Sequence, residues 1–214
     1  MKFVVIGTSE FTISNAKGII DSDHELSLVV SLSPKLLPDN SVDLGSFCAK
    51  NNISFLEVED INAYNLIQEL RNKKPDYIFS SWPRILQNNI LDIPKYFVIG
   101  THPTLLPMNK GRHPVQWMIV LGIQYTSLSF FAMDEGIDSG RILLQVPFPV
   151  GKRTINEVNS NMNQCGYEGT RKLIQIFEKS KNYIGCEQLP DFQNYWRKRN
   201  EHDITLDPRM SLEM

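Results

Sequence analysis

The sequence predicts an α/β domain built on a mainly parallel sheet with helices on both faces. Two observations support this fold class. Short apolar runs recur through the first half of the chain, and amphipathic stretches of about ten residues lie between them, as in strand–helix–strand crossovers. The runs are also apolar at consecutive positions, which is typical of strands that are buried on both faces.

The elements of the first half follow in order from these patterns. Strands are predicted at residues 2–6, 26–32, 53–58, 76–80 and 96–99. Helices are predicted at residues 11–20, 42–51 and 62–73. In the last of these helices, Leu66, Ile67 and Leu70 fall on one face, so we expect that face to pack on the sheet.

The second half continues the alternation. Pro114 suits the first turn of a helix over residues 114–121. Residues 126–133 and 141–150 are rich in β-branched and aromatic or aliphatic side chains, so they are predicted as strands. The run TINE at residues 154–157 matches a capping box. Apolar residues recur behind it at helical spacing, which predicts a helix of up to ~25 residues.

We expect two regions along the chain. Residues 1–182 are predicted to form one α/β domain, and residues 183–214 a C-terminal extension. The extension contains Tyr195, Trp196 and the basic run at residues 197–199. Residues 210–214 resemble the first turn of a helix that the sequence does not complete, so we expect the extension to be incomplete.

Composition argues against several classes of protein. Of 214 residues, 22 are Lys or Arg and 24 are Asp or Glu, so the formal net charge is -2. This balance disfavours a broad basic surface for nucleic acid or anionic lipid. No apolar run approaches the ~18 residues of a membrane span, and the N-terminal apolar run is too short for a secretion signal. Three widely spaced cysteines favour free thiols in the cytoplasm over disulfides or a thiolate metal site.

The turn after the first strand is a poor fit to a nucleotide diphosphate. Residues 7–11 contain one glycine instead of the three of a dinucleotide fingerprint, and they contain no Gly-Lys-Ser loop. Glu10 would also repel the phosphates. The sequence therefore disfavours NAD and ATP as ligands.

Candidate chemistry is concentrated between residues 96 and 145. His102 follows a buried strand, at the edge where open α/β sheets bind ligands. Asp138 lies in an acidic, glycine-flanked loop after a later strand. If the two converge, the carboxylate stabilises the imidazolium and makes the imidazole a better proton acceptor. Taken singly, His102 could instead be a structural hydrogen-bonding residue and Asp138 a turn former.

Two motifs in this segment resemble a known family. The run HPTLLP at residues 102–107 is similar to the His-x-Ser-Leu-Leu-Pro loop of the formyltransferases that use N10-formyltetrahydrofolate. The run MDEGIDSG at residues 133–140 resembles their folate-side loop. The run GRHP at residues 111–114, followed by Trp117, is closest to the branch that formylates nucleotide-linked amino sugars. A weaker resemblance extends from Met1 to about Asp207.

This resemblance implies a Rossmann-like domain that transfers a formyl group from N10-formyltetrahydrofolate, a co-substrate, to the amine of a nucleotide-linked amino sugar. It implies a role in the biosynthesis of lipopolysaccharide or another surface glycan, and it implies no metal and no nucleic-acid or membrane partner. A homodimer is one expected oligomeric state. Which sugar and nucleotide are used stays open. Three alternatives also stay open: formylation of methionyl-tRNA, hydrolysis of the folate by water, and a binding homologue with impaired catalysis.

The resemblance also implies the catalytic residues. His102 and Asp138 match the family's catalytic histidine and aspartate, and its asparagine falls at Gly100. His102 would then handle protons, with Asp138 orienting it. A glycine has no side-chain amide for the developing oxyanion, and losing such a donor costs roughly 10²–10³ in rate. Another donor, such as Thr101, could take over this task.

Binding residues are implied in the same way. The expected folate contacts are Trp82, Ile85, Leu86, Leu105, Met133, Asp134, Glu135, Gly136 and Ile137. The expected substrate contacts are Thr104, Arg112, His113 and Trp196. From the residues alone, the apolar members could equally be core packing beneath a loop, and Arg112 could be a solvated charge.

Overall fold

The structure is a computed structural model that describes residues 1–180 and 182–204. Its strands are β1 Lys2–Ile6, β2 Glu25–Leu32, β3 Phe55–Val58, β4 Tyr77–Ser80, β5 Phe97–His102, β6 Lys110–Gly111, β7 Tyr125–Ala132, β8 Ile142–Pro149 and β9 Tyr195–Trp196. Its α-helices are α1 Glu10–Ile20, α2 Leu44–Lys50, α3 Tyr64–Lys73, α4 Asn88–Leu91, α5 Pro114–Val120 and α6 Ile155–Lys179. Short 3-10 helices span Pro34–Leu36, Pro190–Phe192 and Glu201–Ile204.

Seven strands form one sheet in the order β3-β2-β1-β4-β5-β7-β8. Strands β3, β2, β1, β4 and β5 run parallel to one another. Strand β7 is antiparallel to both β5 and β8, and β8 is the edge strand on this side of the sheet. The predicted α/β class with a mainly parallel sheet is therefore confirmed.

Helices cover both faces of this sheet, as the consecutive apolar positions in β1 predict. Phe3 and Val5 point to one face, which is covered by α1, α2, α5 and α6. Val4 and Ile6 point to the other, which is covered by α3 and α4. All four side chains are fully buried, because successive residues of a strand face opposite sides of the sheet.

The longest helix, α6, begins where its capping box predicts. The Thr154 N–H donates to the Glu157 carboxylate at 2.8 Å, and Thr154 Oγ1 accepts from the Glu157 N–H at 3.4 Å. Two glycines in its middle let α6 lie close to its neighbours. A Cβ at Gly166 would be 2.6 Å from the Phe11 ring, and one at Gly169 would be 2.2 Å from the Phe130 ring.

The three cysteines carry free thiols. Cys48 and Cys165 are buried in the core, and burial raises the pKa of each thiol to about 11. Cys186 is exposed. In the described part of the chain, no helix is both long and apolar enough to cross a bilayer.

Residues 182–204, here called the C-terminal arm, follow α6 and run along the loop after β5 and the loop before β8. The arm contacts β8 through backbone hydrogen bonds between Cys186 and Ile142, and its strand β9 pairs in parallel with β6. The helical turn expected at residues 210–214 lies outside the described residues. The boundary between a domain at 1–182 and an extension at 183–214 stays a prediction.

Candidate active site

A crevice of about 560 Å³ opens at the carboxyl ends of β1, β4 and β5. Ligands of open α/β sheets bind at this edge, and the volume lies within the ~300–1,000 Å³ of small-molecule sites. Its apolar lining comes from both sides of the sheet edge. The apolar side chains are Phe11, Trp82, Pro83, Ile85, Leu86, Pro103, Pro114, Val115, Leu128, Phe131, Met133, Ile137 and Met162.

His102 and Asp138 meet beside this crevice. His102 is the last residue of β5, and Asp138 lies in the loop before β8 with a left-handed φ of 51°. His102 Nδ1 is 3.4 Å from Asp138 Oδ2. The same carboxylate oxygen accepts from the Gly111 N–H at 2.9 Å. The sequence expectation that these two side chains converge agrees with the geometry.

The second ring nitrogen of His102 is also occupied. Its Nε2 lies 2.8 Å from the carbonyl oxygen of Asn109. A carbonyl only accepts, so Nε2 carries a hydrogen and donates it. Because Nδ1 faces a carboxylate, a proton that reaches Nδ1 completes a second hydrogen bond and forms an ion pair.

Of the two residues, Asp138 lines the crevice and His102 does not. The His102 residue is only 4% exposed, whereas the Asp138 side chain is 18% exposed. The carboxylate is therefore the group that a ligand would meet, with the imidazole behind it. The reason is local: the loop after β5 folds back, and its Asn109 carbonyl takes the Nε2 hydrogen.

Thr104 and Leu105 lie in that loop, away from the crevice, and Thr104 is held there by hydrogen bonds inside the loop. Thr104 is 1% exposed, and its hydroxyl donates to the Met108 carbonyl at 2.9 Å. The Thr104 carbonyl accepts from the Ser129 hydroxyl at 2.6 Å. Leu105 is 40% exposed, and neither residue lines the crevice. The structure does not bring Thr104 to a substrate or Leu105 to a folate at this crevice, because the loop uses Thr104 to hold its own backbone.

Gly100 lines the crevice in a tightly filled position. A Cβ built on it would lie 2.8 Å from both Phe131 Cζ and Met133 Cγ. Gly100 is paired directly with Phe131 across the β5–β7 ladder. The volume that an asparagine would need at residue 100 is thus occupied by two apolar side chains.

The crevice has features that fit a pterin. Trp82, Ile85, Leu86 and residues 133–137 all line it, as expected from the sequence. The Trp82 indole nitrogen is buried and has no hydrogen-bond partner within the described residues. A flat heterocycle with polar edges would fill the apolar space and accept that hydrogen. These residues therefore fit a bound folate.

Two acidic residues of the predicted folate wall also hold the loop itself. The Asp134 carboxylate accepts from the Gly136 N–H at 3.0 Å and from the Ser139 hydroxyl at 2.6 Å. The Glu135 carboxylate accepts from the Asn88 side chain. Their carboxylates thus fix the shape of the segment that leads to Asp138.

Arg112 and His113 line the crevice at the start of α5. His113 Nδ1 accepts from the Arg199 N–H at 3.3 Å. Burial lowers the pKa of His113, and the positive charges of Arg112, Lys198 and Arg199 lower it further. This wall therefore carries a local cluster of fixed positive charge.

Trp196 does not line the crevice. Its backbone pairs with β6, and its carbonyl accepts from the Arg112 N–H at 2.9 Å. A Cβ on Gly111, whose φ is 105°, would lie 2.4 Å from that carbonyl oxygen. The structure thus gives Trp196 a place in the frame behind the site instead of contact with a substrate there.

Several residues at the site carried no signal in the sequence. Asn109, Gln188 and Asn194 contact the His102–Asp138 pair or the segment beside it, yet each resembles an ordinary loop residue. The further residues that line the crevice include Ser9, Phe11, Asn40, Ser80, Ser81, Val115, Leu128, Phe131 and Met162. Phe131 could have been predicted beside Gly100 only by assuming the register of an antiparallel β5–β7 pair.

Comparisons with known proteins agree with this fold and identify the family. The Formyl transferase family model matches residues 1–185. The methionyl-tRNA formyltransferases of Alkaliphilus oremlandii and Prochlorococcus marinus (strain MIT 9312) are 29% and 33% identical over 85% and 86% of this chain. The chain spans only 60% and 59% of their lengths.

Solved formyltransferases share the fold. Phosphoribosylglycinamide formyltransferase from Bacillus halodurans has a TM-score of 0.71 at 18% identity, with coverage of 86% of this chain and 99% of that one. The N-formyltransferase from Helicobacter canadensis, solved with folinic acid and dTDP-3-aminofucose, has a TM-score of 0.67 at 18% identity, with coverage of 96% and 72%. Because the family model covers most of the sequence and includes both motif loops around His102 and Asp138, this chain belongs to the formyltransferase family.

Proposed function

We propose that this protein transfers a formyl group from N10-formyltetrahydrofolate to the amino group of a nucleotide-linked amino sugar. The observation that carries the proposal is the His102–Asp138 pair, 3.4 Å apart, beside an apolar crevice into which the buried Trp82 indole N–H, without a partner among the described residues, can donate. Family membership supports formyl transfer as the reaction class.

The folate would be held by Trp82, Leu86, Met133 and the loop that ends at Ile137. When bound, it supplies the formyl group, whose carbon the substrate amine attacks. Leu86 is 4% exposed and offers a fixed apolar surface, whereas Ile85 and Ile137, at 77% and 57%, flank the opening. Excluding water from this slot would favour transfer to an amine over hydrolysis.

Asp138 and His102 would move the proton that the reaction displaces. An amine is bound as an ammonium ion at neutral pH and attacks only after it loses a proton. The Asp138 carboxylate faces the crevice and can take that proton, and His102 Nδ1 can share it across 3.4 Å. That first proton passes on to solvent. After the attack the substrate nitrogen still carries a second proton that it must lose; the pair takes this proton and gives it to the folate nitrogen as the bond from that nitrogen to the formyl carbon breaks. The pair therefore ends as it began, and one proton is released overall.

Gly100 leaves one task to other groups. The formyl oxygen gains negative charge as the amine attacks, and a preorganised donor lowers the barrier. The hydroxyl of Thr101 is the candidate donor, since Thr101 lines the crevice next to Gly100. This assignment predicts a working enzyme despite the absence of a side-chain amide at residue 100.

The cationic wall supports a phosphorylated substrate of small size. His113 has three positive side chains near it: Arg112, Lys198 and Arg199. A single guanidinium group can bind two phosphate oxygens at once. The whole chain nevertheless has a formal net charge of -2. A local positive cluster on a mildly acidic chain suits a nucleotide diphosphate better than a long polyanion, whose binding needs an extended basic surface.

Formylation of methionyl-tRNA is the second candidate. The observation that favours it is sequence similarity, since methionyl-tRNA formyltransferases match at 27–33% identity. Both candidates use the same donor and the same proton chemistry. They differ in the molecule that carries the amine.

A transfer assay with alternative acceptors separates the candidates. Purified protein and N10-formyltetrahydrofolate would be mixed with dTDP-3-aminofucose, with methionyl-tRNA, with glycinamide ribonucleotide or with no acceptor. We expect formyl transfer to the nucleotide sugar at a rate well above the other three mixtures. Transfer only to methionyl-tRNA would establish the second candidate, and equal formyl release without any acceptor would show a hydrolase.

A further inference from the structure

One three-residue segment connects both members of the His102–Asp138 pair. The Asn109 carbonyl accepts from His102 Nε2 at 2.8 Å. Two residues later, the Gly111 N–H donates to Asp138 Oδ2 at 2.9 Å. The orientation of the imidazole and that of the carboxylate therefore depend on the same short stretch of backbone, Asn109 to Gly111.

The opposite edge of this segment is held by the C-terminal arm. The Lys110 N–H donates to the Asn194 carbonyl at 3.0 Å. The peptide group between Asn109 and Lys110 thus bonds His102 through its carbonyl and Asn194 through its N–H. A shift of the arm at Asn194 would rotate that peptide and move the acceptor of His102 Nε2.

The side chain of Asn194 makes two more hydrogen bonds, both to Asn109. Its Oδ1 accepts from the Asn109 N–H at 2.8 Å, and its Nδ2 donates to Asn109 Oδ1 at 2.9 Å. Asn109 has a left-handed φ of 61°, a conformation that non-glycine residues seldom adopt without support. The Asn194 carboxamide supplies that support.

The Lys110 side chain ties the segment to the arm from inside. Lys110 is 2% exposed. Its Nζ donates to Gln193 Oε1 at 3.2 Å and lies 5.6 Å from the centre of the Tyr195 ring. A buried ammonium needs such partners, so this contact disfavours any detachment of the segment from the arm.

Gln188 of the arm holds the other member of the pair. Its Nε2 donates to the Asp138 carbonyl at 2.8 Å and to the Gly140 carbonyl at 2.7 Å. Asp138 also has a left-handed φ, of 51°. The arm therefore fixes the backbone of Asp138 as well as the segment that contacts His102.

We propose that Asn194 and Gln188 are positioning residues: the C-terminal arm holds His102 and Asp138 in their working geometry through the Asn109–Gly111 segment and the Asp138 peptide. The kinetic consequence rests on the proposed formyl transfer. Small displacements of reacting groups are costly, with about 10²-fold in rate for a shift near 1 Å.

The test compares Asn194→Ala and Gln188→Ala with the unaltered full chain. For each variant we expect kcat to fall about 10- to 100-fold, with KM for folate and for amine changed less than about threefold, because neither residue lines the crevice. The thermal unfolding midpoint identifies any variant that fails to fold.

Two further variants make the test specific. Asn194→Asp keeps an acceptor for the Asn109 N–H, and the Asn109 carboxamide can turn to donate to the second oxygen, so most of kcat should return. Asn200→Ala is the matched control, since Asn200 also lies in the arm and, within the described part of the chain, its side chain accepts only from the His202 N–H. It should retain the full kcat.

The ¹⁵N signals of the His102 ring give a readout that does not depend on activity. We expect them to move in Asn194→Ala and to stay in Asn194→Asp and Asn200→Ala, with the distant His24 ring as an internal reference. A kcat within twofold of the unaltered protein, or an unmoved His102 ring in Asn194→Ala, would overturn the proposal. If the unaltered protein transfers no formyl group, the proposed function fails, and the ring signals alone then decide whether the arm positions His102.

Discussion

At the scale of single residues, the site depends on how protons are held between two buried or half-buried groups. Asn109 fixes the hydrogen on His102 Nε2, which leaves Nδ1 to face Asp138 Oδ2. Asp138 alone of the pair lines the crevice. The carboxylate therefore links the imidazole to a ligand, and removing either group should break the path of the proton.

We expect His102→Ala and Asp138→Ala to lower kcat/KM for formyl transfer by about 10²–10⁴, the usual contribution of a positioned acid or base. Asp138→Asn keeps an acceptor for the Gly111 N–H but cannot take a proton, so it should be nearly as slow as Asp138→Ala. Circular dichroism would establish that the variants fold. Near-normal rates in His102→Ala and Asp138→Ala would refute the assigned roles.

Gly100 gives a second prediction, because the space beside it is filled. Gly100→Asn should lower stability by about 1–3 kcal/mol through overpacking and should not raise kcat, since Phe131 and Met133 occupy the volume of the new side chain. Combining it with Phe131→Leu removes the ring and leaves Met133, an unbranched side chain that can adopt another rotamer, so the amide gains room. We then expect kcat above that of Phe131→Leu alone, and urea unfolding to show partial recovery of stability.

An increase of kcat in Gly100→Asn alone would contradict this packing argument. It would mean that the two side chains move aside at little cost.

His113 gives a prediction for pH. Its pKa is lowered by burial and by Arg112, Lys198 and Arg199, so the folded protein favours the neutral ring. The unfolded chain then binds more protons as pH falls below about 6.5, and the stability contributed by neutral His113 is lost as pH falls through that range.

Removing a nearby charge should reverse part of this shift. Arg112→Gln should raise the pKa of His113, as should a bound nucleoside diphosphate, whose charge is negative. Lys95→Gln, which precedes the opposite end of β5, is the control and should change nothing. An NMR titration of the His113 ring measures all three, and a His113 pKa that falls or stays in Arg112→Gln would exclude the proposed electrostatic contact.

At the scale of elements, α6 shows how packing overrides helix propensity. Gly169 lies inside the helix, where alanine is intrinsically favoured by about 1 kcal/mol. A Cβ there would lie 2.2 Å from the Phe130 ring of β7, and overpacking costs about 1–3 kcal/mol. The contact with β7 should therefore outweigh the gain in propensity.

We accordingly expect Gly169→Ala to lower the free energy of unfolding, as measured by urea denaturation. Ser160→Ala, on the exposed side of the same helix, gains propensity without a clash and should be neutral or slightly stabilising. Equal effects of the two substitutions would show that α6 does not lie as close to β7 as the structure has it.

The ends of elements show the limits of local patterns. Helix α2 was predicted over residues 42–51 and spans Leu44–Lys50, because the Asp43 carboxylate caps it by accepting from the Ser46 N–H at 2.9 Å. Strands β6 and β9 have two residues each, and α4 has four. Elements this short contain no full period of a hydrophobic pattern, so sequence reasoning could not find them.

At the scale of the whole molecule, a chain with a formal net charge of -2 carries a local cluster of positive charge at one wall of the crevice. The arrangement depends on the C-terminal arm, which brings Lys198 and Arg199 to His113 across 85 residues of chain or more (198 − 113 = 85). That contact could not be predicted from the composition or from the spacing of residues in the sequence. It follows from the pairing of β9 with β6.

The sequence by itself determined the α/β class, the order of the main strands and helices, and the identity of His102 and Asp138 as candidate catalytic groups. Strands buried on both faces need consecutive apolar residues, and the two motif loops are continuous in the chain. Only the tertiary structure decided that Asp138 faces the crevice while His102 lies behind it, that Phe131 and Met133 fill the space beside Gly100, and that Asn194 and Gln188 support the pair. These facts depend on contacts between segments far apart in sequence, and such contacts leave no local period or motif to read.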